Sequence, residues 1–177
     1  MKNKTKIVLD ADVIIHFIKG GQILSLVNIF PELDYIVLDV VYEEVNHKLE
    51  RKILDNAFEF VKQRVKKVKF KPEGILRKEY FYLTDILKLG EGESASMLYC
   101  KANKDVLGSS NITDIKQYCE QNGIIYLMTL DFLYFAYKRG LMTVKDCTEF
   151  MTTVNAKGSR LPIVDISTYQ CTVTLPL

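Results

Sequence analysis

Short apolar runs that alternate with segments of helical periodicity are the feature that most restricts the fold of this chain. The runs at residues 7–9, 35–38, 106–107 and 124–128 are bounded by turn residues, which predicts strands. Strands that alternate with helices form a parallel sheet covered on both faces. We therefore expect an α/β fold, a three-layer α/β/α sandwich with a central parallel sheet of four to five strands.

Helices are predicted at residues 13–18, 22–30, 76–88, 94–102, 112–121, 132–139 and 144–154. Val41, Val45 and Leu49 recur every fourth residue, which predicts that they share the buried face of one helix capped by Asp39. A long amphipathic helical stretch is predicted at residues 53–71, because its valines keep helical spacing. The tail from residue 156 is expected to be irregular, apart from a short strand near residues 163–166.

Length and composition favour a single domain. The chain has 177 residues, 48% of them hydrophobic and 26% charged, with a net charge of +2. We expect one domain at residues 1–145 and a C-terminal helix and tail packed on it at residues 146–177. No apolar run is long enough to cross a bilayer, and MKNKTK leads into a strand, so we expect no membrane partner and a cytoplasmic location. The four cysteines lack C-x-x-C spacing and are expected to be reduced.

Acidic residues follow the predicted strands. Asp10 and Asp12 come directly after the first strand, where side chains two apart in extended chain point the same way. Ligands of parallel sheets bind beyond the carboxyl ends of the strands, so both aspartates are candidates for a site there. Glu44 follows the second strand by one helical turn. These positions predict that carboxylates from separate stretches of chain converge on one edge of the sheet.

Further polar candidates precede and follow the third strand. Glu91 and Glu93 open the helix before it, and residues two apart on a helix do not share a face, so one of the two should point at the crevice. Asn111 and Asp114 follow that strand as neighbours at a helix start. The adjacent Ser110 is expected to cap that helix or to contact a phosphate.

Converging carboxylates repel one another, which raises their pKa values, and a divalent cation removes the repulsion. Mg²⁺ or Mn²⁺ takes oxygen ligands, activates bound water and neutralises charge on a phosphodiester. An acid at a helix N-terminus is also favourable without metal, through capping and the helix dipole. The functional interpretation therefore depends on the set of acids and on no single one.

The order of these motifs resembles that of the PIN-domain nucleases. "IVLDADVIIHFIKGG" is similar to their opening strand and aspartate, and "VVYEEV" is similar to their second motif, in which Glu44 matches the ligand. "LGEGESASMLYCKANKDVLGSSN" resembles the third motif, with Glu93 as the best match. "NGIIYLMTLDFLYFAYKRGLMT" resembles the last strand and helix. The resemblance covers about residues 6–145.

The resemblance implies a metal-dependent endoribonuclease that uses Mg²⁺ or Mn²⁺. Asp10, Glu44 and Glu93 would be the catalytic metal ligands, with Asp114 as a further one and with Asp12, Ser110 and Asn111 in support. Members of this size are often the toxic half of a toxin–antitoxin pair and commonly dimerise. RNA, an antitoxin protein and a second copy of the chain are therefore the implied partners.

The sequence departs from the family pattern after the third strand. The family commonly has an aspartate there, whereas this chain has Asn111, which offers a carbonyl oxygen without charge. Asp114 supplies a charge one turn later. A site with one fewer carboxylate should hold a second metal less well.

Two segments outside the acidic motifs are also candidates for nucleic-acid contact. "KQRVKKVKFK" could follow a phosphate backbone, although a solvated helix face explains it equally well. Tyr80, Phe81 and Tyr82 could stack on bases, but a place in the core is the favoured interpretation. His16, on the first helix, is expected to be packed in the structure.

Two other functions remain open. A haloacid-dehalogenase-type phosphatase also opens with a strand and Asp-x-Asp, where Asp10 would be the nucleophile and Asp12 the general acid. That class needs an acidic pair after a later strand, which "LGSSN" and "MTLD" do not supply. A non-catalytic nucleic-acid or protein-binding module is the other alternative, favoured by Asn111 in place of an acid.

Overall fold

The computed structural model describes residues 4–175 and has the predicted α/β architecture. Five parallel strands form one central sheet in the order β3-β2-β1-β4-β5. The strands are β1 (Lys6–Leu9), β2 (Asp34–Leu38), β3 (Val65–Val68), β4 (Val106–Gly108) and β5 (Tyr126–Leu127). Helices cover both faces, so the fold is a three-layer α/β/α sandwich.

The helices divide into two layers. They are α1 (Ala11–Lys19), α2 (Ile23–Ile29), α3 (Asp39–Glu44), α4 (Lys48–Val61), α5 (Gly74–Phe81), α6 (Glu91–Asn103), α7 (Ile112–Asn122), α8 (Thr129–Lys138) and α9 (Val144–Ala156). A π-helical turn, Tyr82–Ile86, continues α5. Helix α6 lies on β1, β2 and β4 and also contacts α5 and α7, while α1 contacts α2, α4 and α9. Within the described residues no single helix is long and apolar enough to span a membrane; α1 and α2 meet that test only together, as a pair bent by 120°.

The strand order places a crevice between β1 and β4. Leu9 is paired with Gly108 at the ends of these strands, and the backbone N–H of Asp10 donates to the carbonyl of Gly108 at 2.8 Å. The chain leaves β1 towards one helical layer and β4 towards the other. This reversal opens the usual ligand-binding position of a parallel sheet.

Helix α9 and the tail pack on the layer that contains α1 and α8. Phe150 of α9 lies 5.0 Å from Phe17 of α1, measured between ring centroids. The hydroxyl of Tyr169 in the tail donates a hydrogen bond to the carboxylate of Asp131 at 2.9 Å. The strand expected near residues 163–166 is wrong: that segment is irregular and leads into a turn. Residues 1–3 of the predicted domain at 1–145 and residues 176–177 of the predicted C-terminal segment at 146–177 lie outside the described residues.

The single helix predicted from Val41, Val45 and Leu49 is wrong. The chain leaves the helical conformation at Val45, and α4 starts afresh at Lys48, so Leu49 is 61% exposed. Asp39 is the first residue of α3 and not its cap. Its carboxylate accepts hydrogen bonds from the backbone N–H groups of Val40 and of Phe70, at 3.0 and 2.8 Å, which fastens the segment after β3.

The helical assignment of residues 62–71 is also wrong. Helix α4 ends at Val61, and Val65–Val68 pairs with β2 as the edge strand β3. Arg64 donates to the carbonyls of residues 27, 30 and 33, so its charge serves the end of α2. Lys66 and Lys67 are exposed on the strand, where charge discourages edge-to-edge pairing.

Three smaller predictions have mixed outcomes. The four cysteines are unpaired, as expected. His16 is buried, also as expected. The core position predicted for Phe81 and Tyr82 is wrong, since these side chains are 58% and 51% exposed.

Candidate active site: an acidic cleft at the carboxyl ends of the strands

The candidate site is an open cleft of about 380 Å³ beyond the ends of β1 and β4. Its lining includes the polar side chains predicted from the sequence, which come from four separate stretches of chain: Asp10, Asp12, Glu44, Glu93, Asn111 and Asp114. Ser110 lies beside the cleft, without being part of its lining. Glu91 is exposed and is not part of the lining, so of the two glutamates that open α6 it is Glu93 that points inward.

The loop after β4 holds the two aspartates. Ser109 donates its hydroxyl hydrogen bond to Asp10 at 2.9 Å, and the same hydroxyl lies 3.4 Å from the carboxylate of Asp12. The backbone N–H of Ser110 donates to Asp12 at 2.7 Å, and that of Ala11 donates to Asp10 at 2.9 Å. These donors are neutral, so they orient the carboxylates without cancelling their charge.

The electrostatics of the cleft oppose ionisation of its carboxylates. Asp10 is only 4% exposed, and burial raises its pKa well above the usual value, with the nearby charge of Asp12 raising it further. Burial also raises the pKa of Asp12. For Glu93, burial and then the charge of Asp114 raise the pKa to about 7. No Lys, Arg or His lines the cleft within the described part of the chain.

Glu44 is held against the start of α6. Its carboxylate accepts a hydrogen bond from the backbone N–H of Gly92 at 2.7 Å, one of the N–H groups that a helix start leaves without a partner. Burial raises the pKa of Glu44, and the charge of Glu91 adds to that rise. The contact leaves no room for a side chain at residue 92, because a Cβ there would lie 2.5 Å from a carboxylate oxygen of Glu44.

Asn111 and Asp114 form a pair at the start of α7. The side-chain amide of Asn111 donates to the carboxylate of Asp114 at 2.8 Å. Asn111 occupies the N-cap position of α7, so neither Ser109 nor Ser110 caps this helix. The capping expected of Ser110 is therefore wrong; its backbone N–H donates to Asp12 instead, and the hydroxyl of Ser109 donates to Asp10.

The cleft has the donor chemistry of a hard divalent cation, although its side chains are spread around the walls. Carboxylate and amide oxygens are the ligands that Mg²⁺ and Mn²⁺ prefer. Within residues 4–175, however, no group of three or more Asp, Glu, His or Cys side chains is already gathered around one point. In the structure, Oε1 of Glu44 accepts from the backbone N–H of Gly92, and Oδ2 of Asp114 accepts from the side-chain amide of Asn111.

A buried hydrogen-bond chain that the sequence did not predict supports the loop after β4. The ring Nδ1 of His16 lies 2.8 Å from the hydroxyl of Thr129, which in turn lies 2.7 Å from the hydroxyl of Ser110. Burial lowers the pKa of His16 to about 4, so the ring is neutral at pH 7. Ser109 could have been predicted as a site residue, because it directly follows β4 as Asp10 follows β1. Nothing in the sequence links His16 to Thr129.

No protein-family model, no curated protein and no solved structure matches the chain. The class that fold and site define is therefore an α/β sandwich with an acidic cleft at the carboxyl ends of its parallel strands.

The contact between Glu44 and Gly92 can be tested by Gly92→Ala. The added Cβ would overlap the Glu44 carboxylate and displace it, while alanine is otherwise the better helix former, so we expect an intact fold and a weaker affinity for Mn²⁺, by about tenfold. Isothermal titration with Mn²⁺ measures the affinity. Gly90→Ala is the matched control: residue 90 also lines the cleft, but a Cβ there approaches nothing closer than 3.8 Å and leaves the Glu44 carboxylate in place. Equal affinities in the two variants would contradict a role for Glu44.

Proposed function

We propose that the chain is a metal-dependent endoribonuclease that hydrolyses RNA phosphodiester bonds in the acidic cleft. The observation that carries the proposal is the convergence of buried carboxylates whose ionisation is opposed, in a cleft that no cationic side chain of residues 4–175 lines. A divalent ion would stabilise such a group by offsetting the repulsion. The resemblance of the sequence motifs to those of PIN-domain nucleases agrees with this chemistry.

Each residue of the cleft has a proposed role. Asp10, Glu44 and Glu93 would ligate Mg²⁺ or Mn²⁺, and Asp114 is a further ligand. When bound, the ion would supply an activated water and neutralise charge on the phosphodiester. Asp12 would hold that water, Ser110 would fix Asp12 through its backbone N–H, and Asn111 would orient Asp114. An antitoxin protein that covers the cleft and a second copy of the chain remain the proposed partners, in the cytoplasm.

The direct test of the proposal is an RNA cleavage assay with the purified chain. Labelled single-stranded RNA should be cut internally when Mn²⁺ or Mg²⁺ is present and should stay intact after EDTA is added, with activity restored by excess Mn²⁺. A single-stranded DNA of the same sequence tells whether the 2′-hydroxyl matters. RNA that remains intact at every metal concentration would overturn the nuclease proposal.

A non-catalytic binding module is the second candidate. It is favoured by the spread of the ligands within residues 4–175 and by the amide of Asn111 where the resemblance calls for an acid. This candidate predicts RNA or protein binding without cleavage. The cleavage assay, run beside a filter-binding measurement on the same RNA, separates the two.

A further inference from the structure

A second, larger groove adjoins the acidic cleft. It has a volume of about 520 Å³ and runs between the π-helical turn and α7. Asp114 lines both the groove and the cleft, so the two adjoin at this residue. An extended ligand bound in the cleft would therefore reach the groove past Asp114.

The two walls of the groove differ in chemistry. One wall, from the π-helical turn and the residue after it, carries the exposed side chains of Tyr82 and Leu87. The other wall is a stripe of α7 in which Thr113, Gln117 and Gln121 recur every fourth residue and are all exposed. An aromatic side chain and two amides that can both donate and accept hydrogen bonds thus line the same groove.

The floor of the groove is fixed by a charge-neutral contact. Glu79 accepts hydrogen bonds from the ammonium group of Lys101 and from the hydroxyl of Tyr118, both at 2.6 Å. The negative charge of Glu79 is therefore compensated, and the ring of Tyr118 is held in place. This leaves the groove less repulsive to a phosphate-bearing ligand than the cleft is.

The backbone beside the groove departs from regular helix. The turn Tyr82–Ile86 is π-helical, and Lys88 just after it has a φ of 59°, in the left-handed region that side chains other than glycine seldom adopt. Such irregular backbone is unfavourable and is concentrated at functional sites. Tyr82 is the first residue of this turn, and its side chain is 51% exposed.

We propose that this groove binds a nucleobase of single-stranded RNA next to the bond that is cut in the cleft. The ring of Tyr82 would stack on the base, and the amides of Gln117 and Gln121 would hydrogen-bond its edge, which selects the base. The inference rests on the proposed ribonuclease function for the cleft. It adds a site for base recognition to that function.

The test uses the full chain, labelled with ¹⁵N and kept in EDTA, so that binding is measured without cleavage. Four tetraribonucleotides, UUNU with each base at N, are titrated while the side-chain amide signals of Gln117 and Gln121 are followed by NMR. We expect these signals to shift and the affinity to depend on the base at N. Signals that do not move with any of the four overturn the inference. So do signals that move only with protein concentration, because they would mark a contact between copies.

Variants locate the binding. Tyr82→Ala should weaken binding of the best tetranucleotide by about tenfold or more, Tyr82→Phe should retain it, and Gln121→Ala should reduce the discrimination among bases. Phe60→Ala and Asn56→Ala are matched controls, since both side chains are exposed on α4 and neither lines the groove. Loss of binding in the controls, or no loss in Tyr82→Ala, overturns the assignment.

The metal dependence of cleavage is measured separately. Base-dependent binding without any cleavage would leave the groove as an RNA site and reject the nuclease proposal. Cleavage without binding in the groove would support the nuclease proposal and reject the groove as a base-binding site.

Discussion

Asp10→Asn and Glu93→Gln are each expected to abolish Mn²⁺-dependent RNA cleavage, by at least about 100-fold, while raising the thermal stability of the metal-free protein. Each amide keeps the shape of the acid that it replaces. In Asp10→Asn, the new side-chain carbonyl would still accept the backbone N–H of Ala11, and the amide group would meet the hydroxyl of Ser109. What is lost is one negative charge among several, which removes repulsion and also removes a metal ligand.

The loss of cleavage and the gain in thermal stability together distinguish a metal ligand from a structural carboxylate. A buried carboxylate with a purely structural role would lose stability when neutralised, and cleavage would fall only because the fold was damaged. A carboxylate retained for metal binding should behave in the reverse way. Removing it stabilises the empty site and destroys the activity.

Labelled RNA, circular-dichroism melting in EDTA and melting with added Mn²⁺ measure the three consequences. Mn²⁺ should raise the melting temperature of the original chain and have little effect on either variant. Glu91→Gln is the matched control, because Glu91 opens the same helix as Glu93 but is exposed and not part of the cleft. Full cleavage by either variant would remove that residue from the site.

Local sequence was sufficient for the central strands of the sheet, because they are short and almost wholly apolar. Residues 7–9 and 35–38 are buried in the structure as β1 and β2, and their hydrophobic side chains have no other favourable place. The convergence of Asp10 and Glu93 followed from the same logic. The carboxyl ends of parallel strands meet at one edge whatever the details of the helices.

The edge strand β3 could not be predicted in this way. Val65 and Val68 are spaced as on a helix, and Lys66 and Lys67 between them favour no buried strand. The segment is a strand because β2 presents an unpaired edge to it, which is a tertiary cause. The exposure of Leu49 has a similar origin, since the register of the valines continues only until the chain bends after α3.

The inner part of the site was also beyond local reasoning. His16, Thr129 and Ser110 come from α1, from the start of α8 and from the loop after β4, and only the folded chain joins their hydrogen bonds. The close fit of Glu44 on Gly92 is likewise a contact between distant segments. Sequence position identified which edge carries the acids, whereas packing decided which neutral groups hold them.

The ionisation of Glu93 should lower the stability of the metal-free protein as the pH rises. Its pKa is near 4.5 in the unfolded chain and about 7 in the fold, where burial and the charges of Asp114 and Asp12 oppose ionisation. A carboxylate whose pKa is raised on folding binds more protons in the native state, so its stabilising effect is present below pH 4.5 and is lost between pH 4.5 and 7. Allowing for solvent screening at the open side of the cleft, the loss is about 2 kcal/mol.

His16 acts in the opposite direction over much of the same range, so the total pH profile cannot isolate Glu93. Burial lowers the pKa of His16 from 6.5 to about 4, which makes the fold less stable as the pH falls through that interval. The difference between the original chain and Glu93→Gln removes this contribution, because His16 is present in both. We expect the free energies of unfolding, from urea titrations in EDTA, to be similar below pH 4.5 and to diverge in favour of the variant up to about pH 7. Mn²⁺ at pH 7 should reverse the order by stabilising the original chain alone, and parallel profiles without metal would contradict the raised pKa of Glu93 on which the proposed site depends.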